Sequence, residues 1–454
     1  CCSGPPACSA ANRSEGERLA TNRPAATSAS PWRAPILFAI LAVLFVLEGT
    51  VRNSMFSGSW NTSLAILNMG LLSAITALGV NMLWGYAGLF NVGVVGFLAM
   101  GALAPVLVSL PPVEGAWQSG GTRLLLALAV GLGTLAMAKL AWARTRSGLL
   151  TAVVLIAGFI AYRWLFDPAV TAIEANNPAR NGNIGGLGLP VLLSWVVGGL
   201  FAAAAAWAIG KVALGLRSDY LAIATLGIGE IIVAVLKNED WLARGVKNIT
   251  NIPRPVAQEV ALQQNPDFVA FAQSWGFQAA EASGIWVKLS YMSLFLVVLL
   301  VIILLAELAL KSPWGRMMRA IRDNETAAEA MGKDVTRRHL QVFILGSAVI
   351  GVAGAMMVTL DGLLAPTSYN PLRYTFLIWV MVIVGGSGNN WGAVLGAVTI
   401  WFLWIKAEVW GPALIAMLTG PMADGPVKAH LLDSAPHMRF IAMGAVLLLV
   451  LRFA

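Results

Sequence analysis

The polar segment between Lys311 and Leu340 holds the most distinctive combination of residue types and spacing in the chain. Asn324 or Thr326 can cap the start of a short helix, and Thr326 and Glu329 have the spacing of a capping box. Gly332 can adopt the left-handed conformation that ends a helix. The segment therefore predicts a short, alanine-rich helix, with the sequence Asn324-Glu325-Thr326-Ala327-Ala328-Glu329-Ala330-Met331-Gly332.

Small side chains give this predicted helix a surface that another protein's backbone can approach closely. Ala327, Ala328 and Ala330 project little, while charged neighbours can fix the register of a contact. The alternative is a solvated helix that docks only on its own domain. We predict a surface for a partner protein, formed by Arg319, Arg322, Glu325, Ala327, Ala328, Glu329, Ala330 and Gly332.

Carboxylates within apolar stretches are candidate functional groups, because charges are costly inside a membrane. Asp219 and Glu230 lie about three helical turns apart, so a helix places them on one face. Asp219 is expected to pair with Arg217. For Glu230, a buried carboxyl bonded to a neighbouring helix is the first interpretation, and contact with a substrate is the second. The ionisable residues expected near helix ends, where they can reach the interface, are Glu48, Glu307, Lys406 and Glu408.

Two glycine-rich segments are candidates for close helix crossings or for broken helices beside a passage. The first contains Gly85, Gly88, Gly93, Gly96 and Gly101, and the second contains Gly385, Gly386, Gly388, Gly392 and Gly396. The glycines alone support the two interpretations about equally. Nearby polar residues favour a passage, since a polar group at a helix break needs water or an internal partner. The predicted pathway residues are Gly88, Asn91, Gly93, Glu230, Gly386, Ser387 and Asn389.

No pattern in the sequence indicates catalysis or a resident cofactor. The histidines are His339, His430 and His437, and they form neither an HExxH motif nor a Cys/His cluster. The segment from Gly385 to Asn389 lacks the final glycine of a GxSxG turn. The chain also lacks a Walker A motif, the loop that holds nucleotide phosphates. We therefore predict no catalytic residue, no metal site and no cofactor bound by this chain.

Composition indicates a polytopic membrane protein. Hydrophobic residues make up 58% of the 454 residues, charged residues make up 11%, and the mean hydropathy is +0.75. Long apolar runs in a bilayer favour helices, because every backbone polar group must be bonded within the chain. The short alternating segments of a membrane β-barrel are not seen. The predicted fold is all-α, with roughly ten to twelve transmembrane helices.

Charge distribution predicts the topology. The net charge of +8 lies in short basic clusters between apolar runs and not in one stripe, which argues against nucleic-acid binding. By the positive-inside rule these clusters mark cytoplasmic loops. We predict a disordered basic cytoplasmic tail over 1–35 and a transmembrane domain over 36–454. Within that domain, 237–286 is predicted as an outer loop and 311–340 as a cytoplasmic loop.

Several motifs together resemble the permease subunits of branched-chain amino acid importers of the ATP-binding cassette (ABC) class, the LivM type. They lie in the expected order and cover most of residues 64–400. The matching stretches are Asn81 to Asn91, Gly215 to Ile232, Asn251 to Pro255, Ser312 to Gly332, and Val384 to Gly388 with Trp391 and Gly392.

The resemblance implies the ABC importer permease fold and a set of partners. These are two cytoplasmic ATPase subunits that use ATP, a second related permease, an outer solute-binding protein and membrane lipid. It also implies that 311–340 is the ATPase-coupling loop, and that the chain lies in the inner or plasma membrane of a bacterium or archaeon. Branched-chain or other hydrophobic amino acids are the first expected substrates. The alternatives are urea or short amides, carried by close relatives, and an ion-coupled secondary transporter.

Overall fold

The structure is a computed structural model that describes residues 33–53, 55–176, 182–420 and 425–453. The chain divides into one unit that ends at Leu44 and a second that begins at Phe45. The described residues of the first unit belong to helix α1 (Arg33–Thr50). That helix begins three residues before the predicted start of the transmembrane domain. The rest of the predicted tail, residues 1–32, lies outside the described residues.

Helices dominate the rest of the described chain. Its first half contains α2 (Trp60–Val80), α3 (Val94–Ala102), α4 (Ala104–Ser109), α5 (Glu114–Ala116), α6 (Thr122–Thr145), α7 (Gly148–Glu174), α8 (Val191–Ala213), α9 (Ser218–Asn238) and α10 (Asp240–Ala243). Its second half contains α11 (Glu259–Gln264), α12 (Pro266–Ser274), α13 (Ala279–Lys311), α14 (Pro313–Asp323), α15 (Glu325–Ala330), α16 (Val335–Asp361), α17 (Leu377–Gly385), α18 (Asn390–Thr419), α19 (Pro426–Ser434) and α20 (Met438–Phe453).

The remaining elements are short. Turns of π-helix occupy Asn81–Tyr86, Trp117–Gly121 and Leu372–Phe376, and 3-10 turns occupy Gly245–Lys247, Pro366–Ser368 and Ala435–His437. Two strands of two residues each, β1 (Ile249–Thr250) and β2 (Leu363–Leu364), pair antiparallel, with Ile249 opposite Leu364.

The predicted class, an all-α polytopic membrane protein, is confirmed. Among the described residues, eight helices are long and apolar enough to cross a membrane, or nine if α19 and α20, bent by 65°, form one span. Shorter apolar helices occupy Ala34–Thr50, Val94–Ser109 and Leu372–Gly385. Together, the long and short helices agree with the predicted ten to twelve.

Glycines allow the central helices to cross closely. α16 lies against α2, α3 and α8. A Cβ added at Gly101 of α3 would overlap the backbone of Gly351 in α16. At Gly198 of α8 it would lie 2.9 Å from the carbonyl oxygen of Gly101. Small residues that let backbones meet therefore hold the centre of the bundle together.

Several connections between helices meet at one end of the bundle. At this end, which we call the inner end, Gly88, Leu216, Arg322 and His339 line one cavity, so connections predicted to be cytoplasmic meet there. Strand β1 lies in the predicted outer loop, 237–286, and pairs with β2, which follows α16. The helices α13 and α16 begin at Ala279 and Val335, before the last residues of the predicted loops 237–286 and 311–340.

A buried ion pair joins two residues that were expected to reach the interface. The Glu48 carboxylate and the Lys406 ammonium pair directly, and the two residues are 0% and 2% exposed. Ser57 donates its hydroxyl to Glu48 at 2.7 Å, and Lys406 also donates to the Met55 carbonyl at 3.2 Å. The interfacial prediction is therefore wrong for both residues. A neighbouring opposite charge offsets the cost of burying each one.

We predict that Lys406→Met destabilises the protein by about 3–5 kcal/mol, because it leaves the Glu48 carboxylate buried and unpaired. Thermal unfolding in detergent micelles measures the effect. The double variant Glu48→Gln/Lys406→Met removes both charges and should recover much of the lost stability. Equal unfolding midpoints for the single and double variants would contradict this coupling.

Candidate functional site

The candidate site is built around α14 and α15, which project from the inner end between two spans. Ser312 caps α14 by accepting a hydrogen bond from the Gly315 amide at 3.4 Å. Asn324 caps α15 by accepting one from the Ala327 amide at 2.9 Å. Of the two predicted caps, the structure therefore uses Asn324. Thr326 lies inside α15, so the predicted Thr326–Glu329 capping box does not form.

Gly332 ends α15 as predicted. Its φ of +76° is left-handed. The Gly332 amide donates to the Glu329 carbonyl at 2.8 Å, and the Lys333 amide donates to the Ala328 carbonyl at 3.2 Å. This pair of bonds is the Schellman arrangement, which satisfies carbonyls left free at a helix end. The short helix is thus held at both ends by local bonds.

Most of the predicted partner surface is open. Ala328 is half-buried, whereas the exposed residues are Glu325, Ala327, Glu329, Ala330 and Gly332. Met331, which is not among the predicted surface residues, is 79% exposed. An exposed methionine beside an alanine-rich helix adds a flexible apolar side chain that can adapt to a partner.

The two arginines of the predicted surface are engaged within this chain. Arg319 donates to the Leu310 carbonyl at 3.3 Å. Arg322 donates to the Gly85 carbonyl and also pairs with Asp323 at 3.3 Å. A Cβ added at Gly88 would lie 3.3 Å from Arg322. α14 is therefore bonded through Arg322 to the π-helical turn that follows α2.

The helix breaks beside Arg322 meet in a group of polar side chains, most of them buried, which we call the inner junction. Asn390 is its centre: its amide oxygen accepts from Asn81 at 3.1 Å and from the Tyr86 hydroxyl at 3.2 Å. Its amide nitrogen donates to the Glu307 carboxylate at 2.9 Å. Asn81 in turn accepts from the Gly388 amide at 2.8 Å. Three separate parts of the chain, 81–86, 388–390 and α13 at Glu307, are joined at this point.

The two predicted glycine-rich segments come together at the inner junction. Gly88, Gly386 and Gly388 all have left-handed φ angles, of +73°, +87° and +82°. A Cβ at Gly388 would lie 3.2 Å from the Gly85 carbonyl oxygen and 3.4 Å from Arg322. These glycines shape tight turns at the inner end of the bundle.

The predicted pathway asparagines satisfy the backbone at helix breaks. Asn91 accepts from the Gly93 amide at 2.9 Å, and within the described residues its buried side-chain nitrogen has no hydrogen-bond partner. Asn389 caps α18 by accepting from the amides of Trp391 and Gly392 at 3.1 and 3.2 Å. Ser387 is exposed in the turn between α17 and α18.

Glu230 lies apart from the inner junction, on α9. It is exposed, so the first interpretation, a buried carboxyl bonded to a neighbouring helix, is wrong for this chain. The predicted ion pair between Arg217 and Asp219 is also not found among the described residues, and both are exposed.

A cavity of about 150 Å³ opens beside the inner junction. Its lining includes Gly88, Arg322, Glu325 and the buried His339. The Nδ1 atom of His339 lies 4.0 Å from the Glu325 carboxylate. Residues near the starts of both α15 and α16 therefore line this cavity. Within the described residues no cluster of His, Cys, Asp or Glu could hold a metal ion.

These features define the chain as a multi-pass helical membrane protein with a polar, partly exposed loop at its inner end. The family described as "Branched-chain amino acid transport system / permease component" matches residues 147–451, more than half of the chain. The chain belongs to this family.

Curated relatives agree with that assignment. The chain is 31% identical to the high-affinity branched-chain amino acid transport system permease protein LivM of Salmonella typhimurium, over 44% of this chain and 47% of that protein. It is 30% identical to the high-affinity branched-chain amino acid transport system permease protein LivM of Escherichia coli, over 45% of this chain and 48% of that protein. A probable branched-chain amino acid transport permease protein LivM of Methanocaldococcus jannaschii is 27% identical, over 74% of this chain and 77% of that protein. The matches thus span about half of the two bacterial relatives. No solved structure matches the chain.

We predict that Asn390→Leu destabilises the protein by several kcal/mol, because the buried Asn81 and Tyr86 and the half-buried Glu307 each lose a partner, at about 1–3 kcal/mol for a buried group. Thermal unfolding in detergent measures this change. Asn238→Leu is the matched control, because Asn238 is exposed at the end of α9 and bonds only its own helix. An Asn390→Leu midpoint equal to the control's would show that the junction adds nothing to stability.

Proposed function

We propose that this chain is the membrane-spanning permease subunit of an ABC importer for branched-chain or other hydrophobic amino acids. Membership of the permease family supports this function, and the LivM names of its relatives support the substrate class. The observation that carries the proposal is structural: a capped helix, α15, stands exposed at the inner end and is bonded through α14 to the breaks of the spans.

The exposed face of α15 suits it to dock a cytoplasmic ATPase subunit. Alanines at the contact let a partner's backbone approach, while Glu325, Glu329 and Met331 offer charge and adaptable apolar surface. Because the sequence has no Walker A motif, nucleotide hydrolysis belongs to that partner. This chain acts as the transport subunit and is not itself an enzyme.

The inner junction offers a route by which movement of the ATPases reaches the spans. A shift of α15 carries α14 with it, since Asn324 follows directly after Asp323. Arg322 then pulls on the Gly85 carbonyl, beside the turn that holds Gly388. Rocking of helices around such a bonded point alternates access to the two sides of the membrane.

The importer comprises two ATPase subunits, this permease with a second related permease, and an outer solute-binding protein. In this proposal α15 lies in the cytoplasm of a bacterium or archaeon, and the chain lies in its inner or plasma membrane. The basic connections at the inner end support this orientation. The solute-binding protein, on the opposite side, accounts for most of the substrate selectivity.

We predict that Ala330→Arg prevents co-purification of the ATPase while the permease stays folded in the membrane. Ala330 is exposed in this chain, so a long side chain is accommodated here but blocks close approach of a partner. Ala257→Arg, exposed at the opposite end, is the matched control. ATPase recovery by Ala330→Arg at the level of the control would remove α15 from the docking surface.

The importer itself is tested by leucine uptake into proteoliposomes that contain both permeases, the ATPase and the binding protein. Uptake should require ATP and each protein, and should persist after proton and sodium gradients are collapsed. Uptake that stops with the gradient and ignores the ATPase would identify a secondary carrier. Uptake of urea or short amides in place of leucine would reassign the substrate.

A further inference from the structure

Helix α9 has one buried face, and this face packs on the start of α3. A Cβ added at Gly96 would lie 2.6 Å from the Cα of Gly229, so the two backbones are in close contact. Thr225 also takes part in this contact, because its hydroxyl oxygen accepts a hydrogen bond from the Val92 amide at 3.1 Å. The residues on this buried face are Leu221, Thr225, Gly229, Val233 and Leu236.

The opposite face of α9 carries Glu230. At 1.5 Å per residue, Glu230 lies about 18 Å from the start of the helix at Ser218 and about 12 Å from its end at Asn238. It is exposed, and within the described part of the chain its carboxylate has neither a hydrogen bond nor an ion pair. A carboxylate thus stands alone at membrane depth.

Lipid is an unsuitable neighbour for this face. Ionisable groups inside the membrane are costly, and they face a water-filled cavity or an opposite charge. The residues one turn to either side are small: Gly227, where an added Cβ would meet nothing within 4 Å, and Ala234, which is exposed. Space for a small solute therefore lies beside the carboxylate.

Apolar side chains complete the surroundings. Ile223 and Ile231 share the exposed side of α9 and are 69% and 62% exposed. A carboxylate between two isoleucines offers an anionic point and an aliphatic surface within the same short stretch. Branched-chain amino acids carry the complementary groups, an ammonium and an aliphatic side chain, whereas urea and short amides carry no cation.

We infer that the Glu230 carboxylate binds the ammonium group of the amino acid as it crosses the membrane. The inference rests on the proposed function and adds a residue that determines specificity. In the assembled importer, the exposed face of α9 lines the passage, and Gly227 and Ala234 leave room for the solute. Asp219 lies on the same side of α9, nearer the inner end, where it is also exposed.

The test measures uptake of radiolabelled leucine by the complete importer in proteoliposomes, at subsaturating leucine-loaded binding protein. Glu230→Gln should lower the initial rate about tenfold, which corresponds to roughly 1.4 kcal/mol. Glu230→Asp keeps the charge and should recover most of the rate. Asp267→Asn, which changes an exposed carboxylate on α12, should match the parent.

Assembly separates this role from an ion pair with the second permease. Glu230→Gln should retain both permeases and the ATPase during purification, with ATP hydrolysis still stimulated by loaded binding protein. Loss of the second permease from the variant would overturn the inference, as would leucine uptake equal to that of the parent. If the parent importer itself fails to take up leucine with ATP, the proposed function fails instead.

Discussion

Every polar group inside a membrane needs a partner, and this constraint explains the inner junction. Where α2 and α17 end in irregular turns, their backbone groups lose helical partners, and water cannot replace them in hydrocarbon. Asn81 accepts from the Gly388 amide, and Asn390 holds Asn81 and Tyr86. The side-chain oxygen of Asn81 thus supplies a partner for a backbone amide in the turn that holds Gly388. Breaks that would otherwise be costly become fixed points of the fold.

The same bonds unite the loop and the spans mechanically. Arg322 lies on α14, within the predicted cytoplasmic loop, yet it donates to the Gly85 carbonyl in the π-helical turn that follows α2. Since Gly85 is also in contact with Gly388, one guanidinium touches both glycine-rich segments. α15 remains exposed because its own caps, Asn324 and Gly332, satisfy its ends locally. A helix that needs no support from the bundle is free to bind another protein.

Local signals in the sequence predicted the elements well, and long-range pairing was beyond them. Gly332 as a helix end follows from conformational preference alone, and the long apolar runs follow from the bilayer's thickness. The choice of Asn324 over Thr326 as the cap depended on where α14 ends. The pairs Glu48–Lys406 and Asn81–Asn390 join residues hundreds of positions apart, and no spacing rule relates them. Glu230 was expected to be buried because only the apolar run was visible, and not which face of α9 packs on α3.

Two kinds of polar side chain in the bundle differ in whether they are bonded to other side chains, and this difference has consequences. Those of the inner junction are buried and bonded to one another, so they hold positions and have little capacity left for a solute. Glu230 has the opposite character, since its carboxylate is exposed and unbonded among the described residues. In the proposed importer, the inner junction transmits movement and Glu230 meets the solute. These two roles need different surroundings, because the first must exclude water and the second must admit it. α9 itself has a packed face and an open face, because it turns Gly229 toward α3 and Glu230 away from it.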